Sequence, residues 1–499
     1  MEMITNEKIN FNSLEEKTYK KMMELGRSII QEDLRMLDKL IKECRDKEIF
    51  ECKDMQPTTL KTKLGEIPIA RRRYKMVIDG KVKWIYLLDE FLQINEFGLY
   101  SQSIVEMVAR EITKKSYRET AKTISEDTEN TISHTAVRNI VLKLCEKIKK
   151  IEEEKIKLYE EGKIEGNRTA EYVFCEHDGI YIKKQKSKHQ KGKKKIKIKH
   201  FKKNKSKKKK NGMEVKIAVI HEGKEPRYSN DFKLKNKTIV GTIAPAKELK
   251  RIEDMAIGTT YKEYKIKKII INGDGADWTG NIVEGTKEIF QLDMAHIQKK
   301  IYTAVEDEEY LNKMQAIVYK EKAEDIFSLI YNYKVELEED KKTEELKKVQ
   351  ELEEYLRNNK KGILRYQYKL GYKEEQLKEV EEKLPSLGSE ESHMYCVCRD
   401  RMKKNRTSWC PTGAEAVLKV IISRMNETLE DILSNKAEEK IKAELAQRIA
   451  EPIKIKKIKE GKIIYAGKYQ IASNFTGSTK QYVIDLLRGK KCSELMVTN

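Results

Sequence analysis

Ile269-Ile270-Ile271-Asn272-Gly273-Asp274-Gly275 is a β-branched run that stops abruptly in Gly and Asp. A continuous run of this kind reads as a strand buried on both faces. An acid at its exit is held rigidly at the open end of a sheet, where α/β folds place their chemistry. Tyr172 to Ile182 repeats the form, with Asp178-Gly179 set into it. Glu391 offers a third acid, in the first turn of a helix opened by Gly388-Ser389, where the helix dipole favours acids. Carboxylates without His or Cys are hard oxygen ligands suited to Mg²⁺, with Mn²⁺ as a substitute. Such a trio can hold two ions about 4 Å apart, one activating a water or 3′-hydroxyl and the other stabilising the leaving oxygen of a phosphodiester. Taken singly, each acid has a plainer explanation. Asp-Gly at a strand end is most often a turn, and a first-turn Glu usually caps. The weight comes from all three in order, with Glu390 and Glu415 as alternatives to Glu391.

The elements that would position these acids follow from periodicity. The Asp178 strand is followed by Met213 to Ile220, which alternates, and by a short strand at Thr238 to Thr242. A helix is expected over 246–266, then the Asp274 strand, a helix from Asn281 to Phe290, and a strand from Gln291 to His296. Three strands feeding alternating helices and strands are the order of a ribonuclease-H-like fold. Lys183 to Asn211 interrupts the first hairpin with 17 lysines and no acid. Such a block cannot pack alone. It reads as a long basic tip that adds salt-dependent affinity for a phosphate backbone. Residues 303–385 read as a charged helical insertion, a solvated antiparallel hairpin without a catalytic role.

Upstream, residues 11–50 form an amphipathic helix or helix pair, with Leu25, Ile29, Leu34, Leu37, Leu40 and Ile41 at helical spacing and expected to pack on their own domain. A β-meander follows, turned by Gly65-Glu66 and Asp79-Gly80 and running on through Lys83 to Leu88. It carries Arg71-Arg72-Arg73, either solvated edge charges or phosphate contacts. Ser116 to Ile124 and a helix beginning at Ile132 to Val141, capped by Ser133, are separated by a polar break at Ser125 to Thr131. This pattern fits a helix-turn-helix that turns Ser133, His134, Thr135 and Arg138 toward a major groove. An ordinary helical hairpin would show the same pattern.

The net charge is +21 and the pI about 9.2, so a polyanion is the expected partner. No apolar run reaches the ~18 residues that span a bilayer. The amino terminus lacks a basic region followed by an apolar core, so no signal peptide is expected. Eight scattered cysteines, with Cys396 and Cys398 the closest pair, lack zinc-ligand spacing and read as reduced thiols of a cytoplasmic, nucleoid-associated protein.

Several of these segments together resemble the ISLre-type bacterial insertion-sequence transposases, related to Mutator-like enzymes. The resemblance is carried by Leu64-Gly65-Glu66-Ile67 with Arg71 to Tyr74, Leu87 to Glu90, Ser116 to Ala121, Ile132 to Ile140, Asp178 to Tyr181 and Gly273 to Trp278. It extends to a block of Glu391, His393, Arg401, Met402 and Trp409. It spans roughly residues 20 to 430. It implies a DDE transposase with Asp178, Asp274 and Glu391 as metal-binding acids. The ten-residue spacing from Glu391 to Arg401 matches the family pattern. The family's Asp-x-Phe-His reads Asp293-Met294-Ala295-His296, with the aromatic lost. His296 and Arg401 are expected to contact phosphate or support the acids, with Lys403 and the meander residues Arg71 and Arg73 as further DNA contacts.

The resulting expectation is a multidomain α/β chain. It has a helix and meander over 1–100, a helix-turn-helix region over 101–164 and a core over 165–302. An insertion at 303–385, final core helices at 386–435 and a tail at 436–499 complete it. The expected partners are terminal inverted repeats, target DNA and further copies of the chain, without a membrane. A nuclease that cuts without joining, or a non-catalytic DNA-binding protein, would share much of this sequence.

Overall fold

The computed structural model describes all residues except 1–9, 79, 95, 186–211, 229–230, 281–284, 319, 389–397, 404–406, 438 and 442–499. The chain is mixed α/β, and the described residues divide into two compact units with the boundary between Lys143 and Leu144.

The first unit opens with α1 (Phe11–Cys44), where Asn10 and Ser13 close a reciprocal capping box. The antiparallel sheet β1 (Glu51–Thr62), β2 (Gly65–Ile78) and β3 (Lys81–Ile85) follows in that order. Gly65 and Gly80 turn the two hairpins at positive φ, +105° and +74°. The expected third strand is cut short. Leu87 and Leu88 are both buried, which period-2 alternation cannot achieve, and the chain turns there into α2 (Leu87–Leu92).

Next come α3 (Gln102–Ile112), α4 (Tyr117–Thr128) and α5 (His134–Glu160). Ser116 and Glu119 form a second capping box at the start of α4. This helix runs four residues beyond Ile124, and its last residue, buried Thr128, donates Oγ1 back to the Ile124 carbonyl at 2.6 Å. The break is therefore Glu129 to Ser133, with Glu129 in the left-handed region.

The second unit is built on a five-stranded sheet of β4 (Tyr172–Lys183), β5 (Gly212–His221), β8 (Thr238–Thr242), β9 (Lys268–Gly273) and β10 (Glu288–Leu292). A small hairpin, β6 (Lys224–Tyr228) and β7 (Asp231–Leu234), lies between β5 and β8 in the chain. The spatial order is β10-β9-β4-β5-β8. β4 pairs antiparallel with β5 from Lys183↔Gly212 inward, as the hairpin reading requires, and β5 pairs antiparallel with β8. β9 pairs parallel with both β4 and β10. Parallel strands cannot be joined by a tight hairpin, and α6 (Ala246–Thr260) carries the chain from the edge strand β8 past β5 and β4 to β9.

Leu249, Ile252 and Ile257 of α6 cover Cys175, Ala218 and Ile271 on one face of the sheet. Tyr366, Leu384 and Leu387 cover Phe174 and Ile270 on the other. The expected helix at Asn281 to Phe290 is not found. Its last residues lie in β10, residues 281–284 fall outside the described set, and the helix after β9 is the four-residue α7 (Asp277–Gly280).

α8 (Met294–Ala304), α9 (Glu308–Ile317), α10 (Ile326–Glu339) and α11 (Thr343–Asn358) follow. They are not the solvated hairpin expected. Ile330, Val349, Leu352 and Leu356 share one buried core with Ile297, Ile301 and Leu292 of β10.

Candidate functional site

Register sets the site. His177 of β4 is opposite Gly273 of β9, and Leu292 of β10 is opposite that same Gly273. One residue further along each strand stand Asp178, Asp274 and Asp293. Neighbouring strands lie about 4.8 Å apart, so the three acids form a row on one face across β4, β9 and β10. The sequence reading placed the first two. Asp293, which the sequence does not single out as a third acid, follows directly on the short strand Glu288–Leu292.

Each acid is held locally. The Gly179 N–H donates to Asp178 Oδ1 at 2.7 Å, and the Ala276 N–H to Asp274 Oδ1 at 2.9 Å. Gly275 between them has φ +76°, and a Cβ there would lie 2.7 Å from Leu292 Cδ2. Asp293 is buried and caps α8, with Oδ1 accepting from the His296 N–H at 3.0 Å and meeting His296 Nδ1 at 2.8 Å. Its Oδ2 is buried and has no hydrogen-bond partner among the described residues. One layer deeper, Asn272 stands in register between Gln291 and Glu176. It is fully buried, and neither polar side-chain atom has a partner among the described residues. Buried polar atoms are satisfied in most proteins, so unpaired oxygens at the end of a sheet mark a place where water or a cation is expected.

The insertion reaches this row. Tyr355 of α11 donates its hydroxyl to the Asp274 carbonyl at 2.7 Å, and Lys300 of α8 lies 4.1 Å over its ring. Burial and then the Asp274 and Asp293 carboxylates raise the Tyr355 hydroxyl above its ordinary range, so it remains a donor. Tyr355→Phe is expected to cost about 1 kcal/mol of stability, which urea unfolding would check.

Charge accumulates at the row. Burial, and after it the Asp274 and Asp293 carboxylates, push Asp178 up to about 6, against the Gly179 N–H and His296. His296 is raised by its bond to Asp293. The folded protein therefore holds a proton on Asp178 between about pH 4 and pH 6 that the unfolded chain has released, and stability falls as pH rises through that window. Asp178→Asn should remove this slope. It should stabilise the metal-free protein at pH 7.5 by up to about 3 kcal/mol, at ~1.4 kcal/mol per pH unit. Urea unfolding at pH 4.5 and 7.5 tests this, and an unchanged slope in the variant would refute it.

Glu391, with Glu390 and His393, lies outside the described residues. The chain enters that stretch at Gly388 (φ +87°), where a Cβ would sit 2.6 Å from Asp293 Oδ2. Beyond it, Trp409 N donates to the Lys183 carbonyl at 2.9 Å, at the end of the Asp178 strand. Arg401 is buried and stacks 4.8 Å over Trp409, so it supports this return segment, while Lys403 is exposed. Glu415 is not part of the row. It accepts from Thr242 Oγ1 and the Ile243 N–H at the end of β8. Among the described residues no three His, Cys, Asp or Glu side chains form a set that could hold a metal ion. The row's hard carboxylate oxygens are donors of the kind that suits Mg²⁺.

In the first unit, Ser133, His134, Thr135 and Arg138 all lie exposed at the start of α5, with Val137, Ile140 and Val141 buried behind them. Ser133 Oγ accepts from the Ala136 N–H at 3.1 Å, as its capping role requires. The meander arginines are a correction. Arg71 pairs with fully buried Asp89 and lies 4.0 Å over the Tyr86 ring. Arg72 pairs with buried Asp38. Arg73 binds both oxygens of Asp54, at 3.0 and 2.6 Å. Arg71 and Arg73 thus hold the unit's own carboxylates rather than presenting bare cations to phosphate. The six cysteines among the described residues are all free thiols. No helix among them is long and apolar enough to cross a membrane.

The sequence profile of the family described as "Uncharacterised protein family (UPF0236)" matches residues 4–210 and 199–440. The chain belongs to UPF0236. Both acid-bearing segments, the start of α5 and the Glu391 block all fall within the matched span. Among relatives, UPF0236 protein TTE0610/TTE0881/TTE1053/TTE2432 of Caldanaerobacter subterraneus subsp. tengcongensis is 25% identical over 85% of this chain and 79% of its own length. UPF0236 protein TTE1650/TTE2708 of the same organism is also 25% identical, over 85% and 75%. A third UPF0236 protein of that strain, whose name joins eleven locus designations beginning with TTE0033, is 24% identical over 81% and 75%.

Proposed function

We propose that this chain is the DNA transposase of a bacterial insertion sequence, with a ribonuclease-H-like catalytic core. The observation that carries the reading is the row of Asp178, Asp274 and Asp293 at equivalent register positions on adjoining strands. Its setting supports the reading further. Two antiparallel pairings followed by two parallel ones, with the first strand central, are the strand order expected of that fold. The relative whose name joins eleven loci of one genome points the same way, because multiple copies are what a mobile element leaves behind.

In this reading Asp178, Asp274 and Glu391 hold Mg²⁺, or Mn²⁺ in its place. The ions supply an activated water or 3′-hydroxyl and neutralise charge on the leaving oxygen. The chain's own residues do the rest. Asp293 orients His296, whose raised basicity favours the charged ring beside a phosphate. Tyr355 fixes the backbone of Asp274. Carboxylates repel DNA, so cations must hold it, and the lysines between β4 and β5 follow directly on the Asp178 strand. Ser133, His134, Thr135 and Arg138 form the surface that reads the terminal repeats, and Lys403 adds a phosphate contact.

Product analysis tests the proposal. Purified full-length chain, Mg²⁺ and labelled DNA carrying the element's ends should yield both nicked ends and ends joined to a second duplex. Nicking without joining would reduce the activity to that of a nuclease. Binding without either product would leave a DNA-binding protein.

A further inference from the structure

α1 has two apolar faces, and among the described residues only one is covered. Met23, Leu34 and Ile41 are buried against its own unit. On the opposite face Phe11, Leu14 and Thr18 recur after eleven residues as Met22, Leu25 and Ile29, and again as Asp33, Met36 and Leu40. All but Thr18 and Asp33 are apolar, and each of those seven is more than half exposed, up to 75% at Phe11. An eleven-residue repeat is close to the helix's own period, so the stripe runs nearly straight along a helix about 51 Å long. It exposes on the order of 800 Å² of apolar side chain, the share one partner gives to a stable interface. A patch of that size is not ordinary surface.

We propose that this face is the seam of an antiparallel pairing between two copies of the chain. The stripe is nearly palindromic about Leu25. Reversed onto itself, it sets Phe11 against Leu40, Leu14 against Met36, Met22 against Ile29 and Leu25 against its mate. Its two polar positions then coincide, with the Thr18 hydroxyl placed to donate to the partner copy's Asp33 carboxylate. A parallel pairing would instead stack Asp33 on Asp33, two like charges within an apolar seam. Self-complementarity of this kind is what a two-fold interface requires. The pairing does not depend on the catalytic reading.

Sedimentation of the full-length chain without DNA, at tens of micromolar, should give twice the chain mass. Leu25→Asp should give a monomer with unchanged circular dichroism, since Leu25 is exposed and its loss leaves the fold intact. Register is tested in a Cys44→Ser background by mixing a Thr18→Cys chain with an Asp33→Cys chain under oxidation. The expected product is the mixed cross-link. A wild-type monomer, a Leu25→Asp chain that remains dimeric, or cross-linking of Asp33→Cys to itself would overturn the proposal.

Discussion

Asp274→Asn is expected to reduce Mg²⁺-dependent cleavage of end-bearing DNA by at least about 10³-fold, several kcal/mol of transition-state stabilisation. DNA binding and thermal midpoint should change little. Asparagine keeps the shape and the oxygen that accepts from the Ala276 N–H, but removes the charge. Asp293→Asn should cost less, about 10- to 100-fold, as is usual for a group that orients others at a metal centre. It would loosen His296 and neutralise the buried oxygen facing Gly388. Full activity in Asp293→Asn would mean that the row reflects strand register alone.

The largest stability effect should come from the other face of the sheet, directly behind the row. His177 Nε2 and Glu253 Oε2 meet at 2.6 Å, and both residues are fully buried. Burial pushes the Glu253 carboxyl up, but His177 and Lys250 outweigh it and leave it lowered. Lys250 in turn contacts Asp254 at 2.8 Å and Glu288 at 2.5 Å. Removing Glu253 takes from buried His177 its 2.6 Å partner, and a buried polar group left without its partner is costly. Glu253→Ala should therefore destabilise the chain by about 3–5 kcal/mol in urea unfolding at pH 7. Replacing His177 and Glu253 together by apolar residues should cost clearly less. If the double replacement costs as much as the single one, packing rather than charge accounts for the loss.

Local pattern made much of this visible in the sequence. The Ile269 to Ile271 run is a central strand because β-branched residues on both faces have nowhere else to go. The Asp274-Gly275 exit, the Asp178-Gly179 pair set into β4, the β4–β5 hairpin and the Ser133 cap are short-range signals, and each appears as read. What was missed depended on distant partners. Arg71 and Arg73 look like phosphate contacts until Asp89 and Asp54 are brought to them. Leu25, Ile29 and Leu40 share helical spacing with Leu34 and Ile41, yet point away from the unit's core, because a helix with two apolar faces has one period for both. Asp293 falls inside the strand expected over Gln291 to His296, whereas the strand ends at Leu292 and the chain turns into a helix at Met294, which leaves Asp293 at the end of the sheet. Tyr355, deep in a charged helical stretch, carries no local mark of its contact with Asp274.

The most direct test of the acid row needs no DNA. Mn²⁺ is titrated into wild type, Asp178→Asn and Asp274→Asn at pH 7.5, with binding followed by calorimetry and by the shift in thermal midpoint. The account predicts saturable binding and a raised midpoint in the wild type, and loss of both in each variant. Binding that is equal in all three proteins would place the cation elsewhere and contradict the assignment of Asp178 and Asp274.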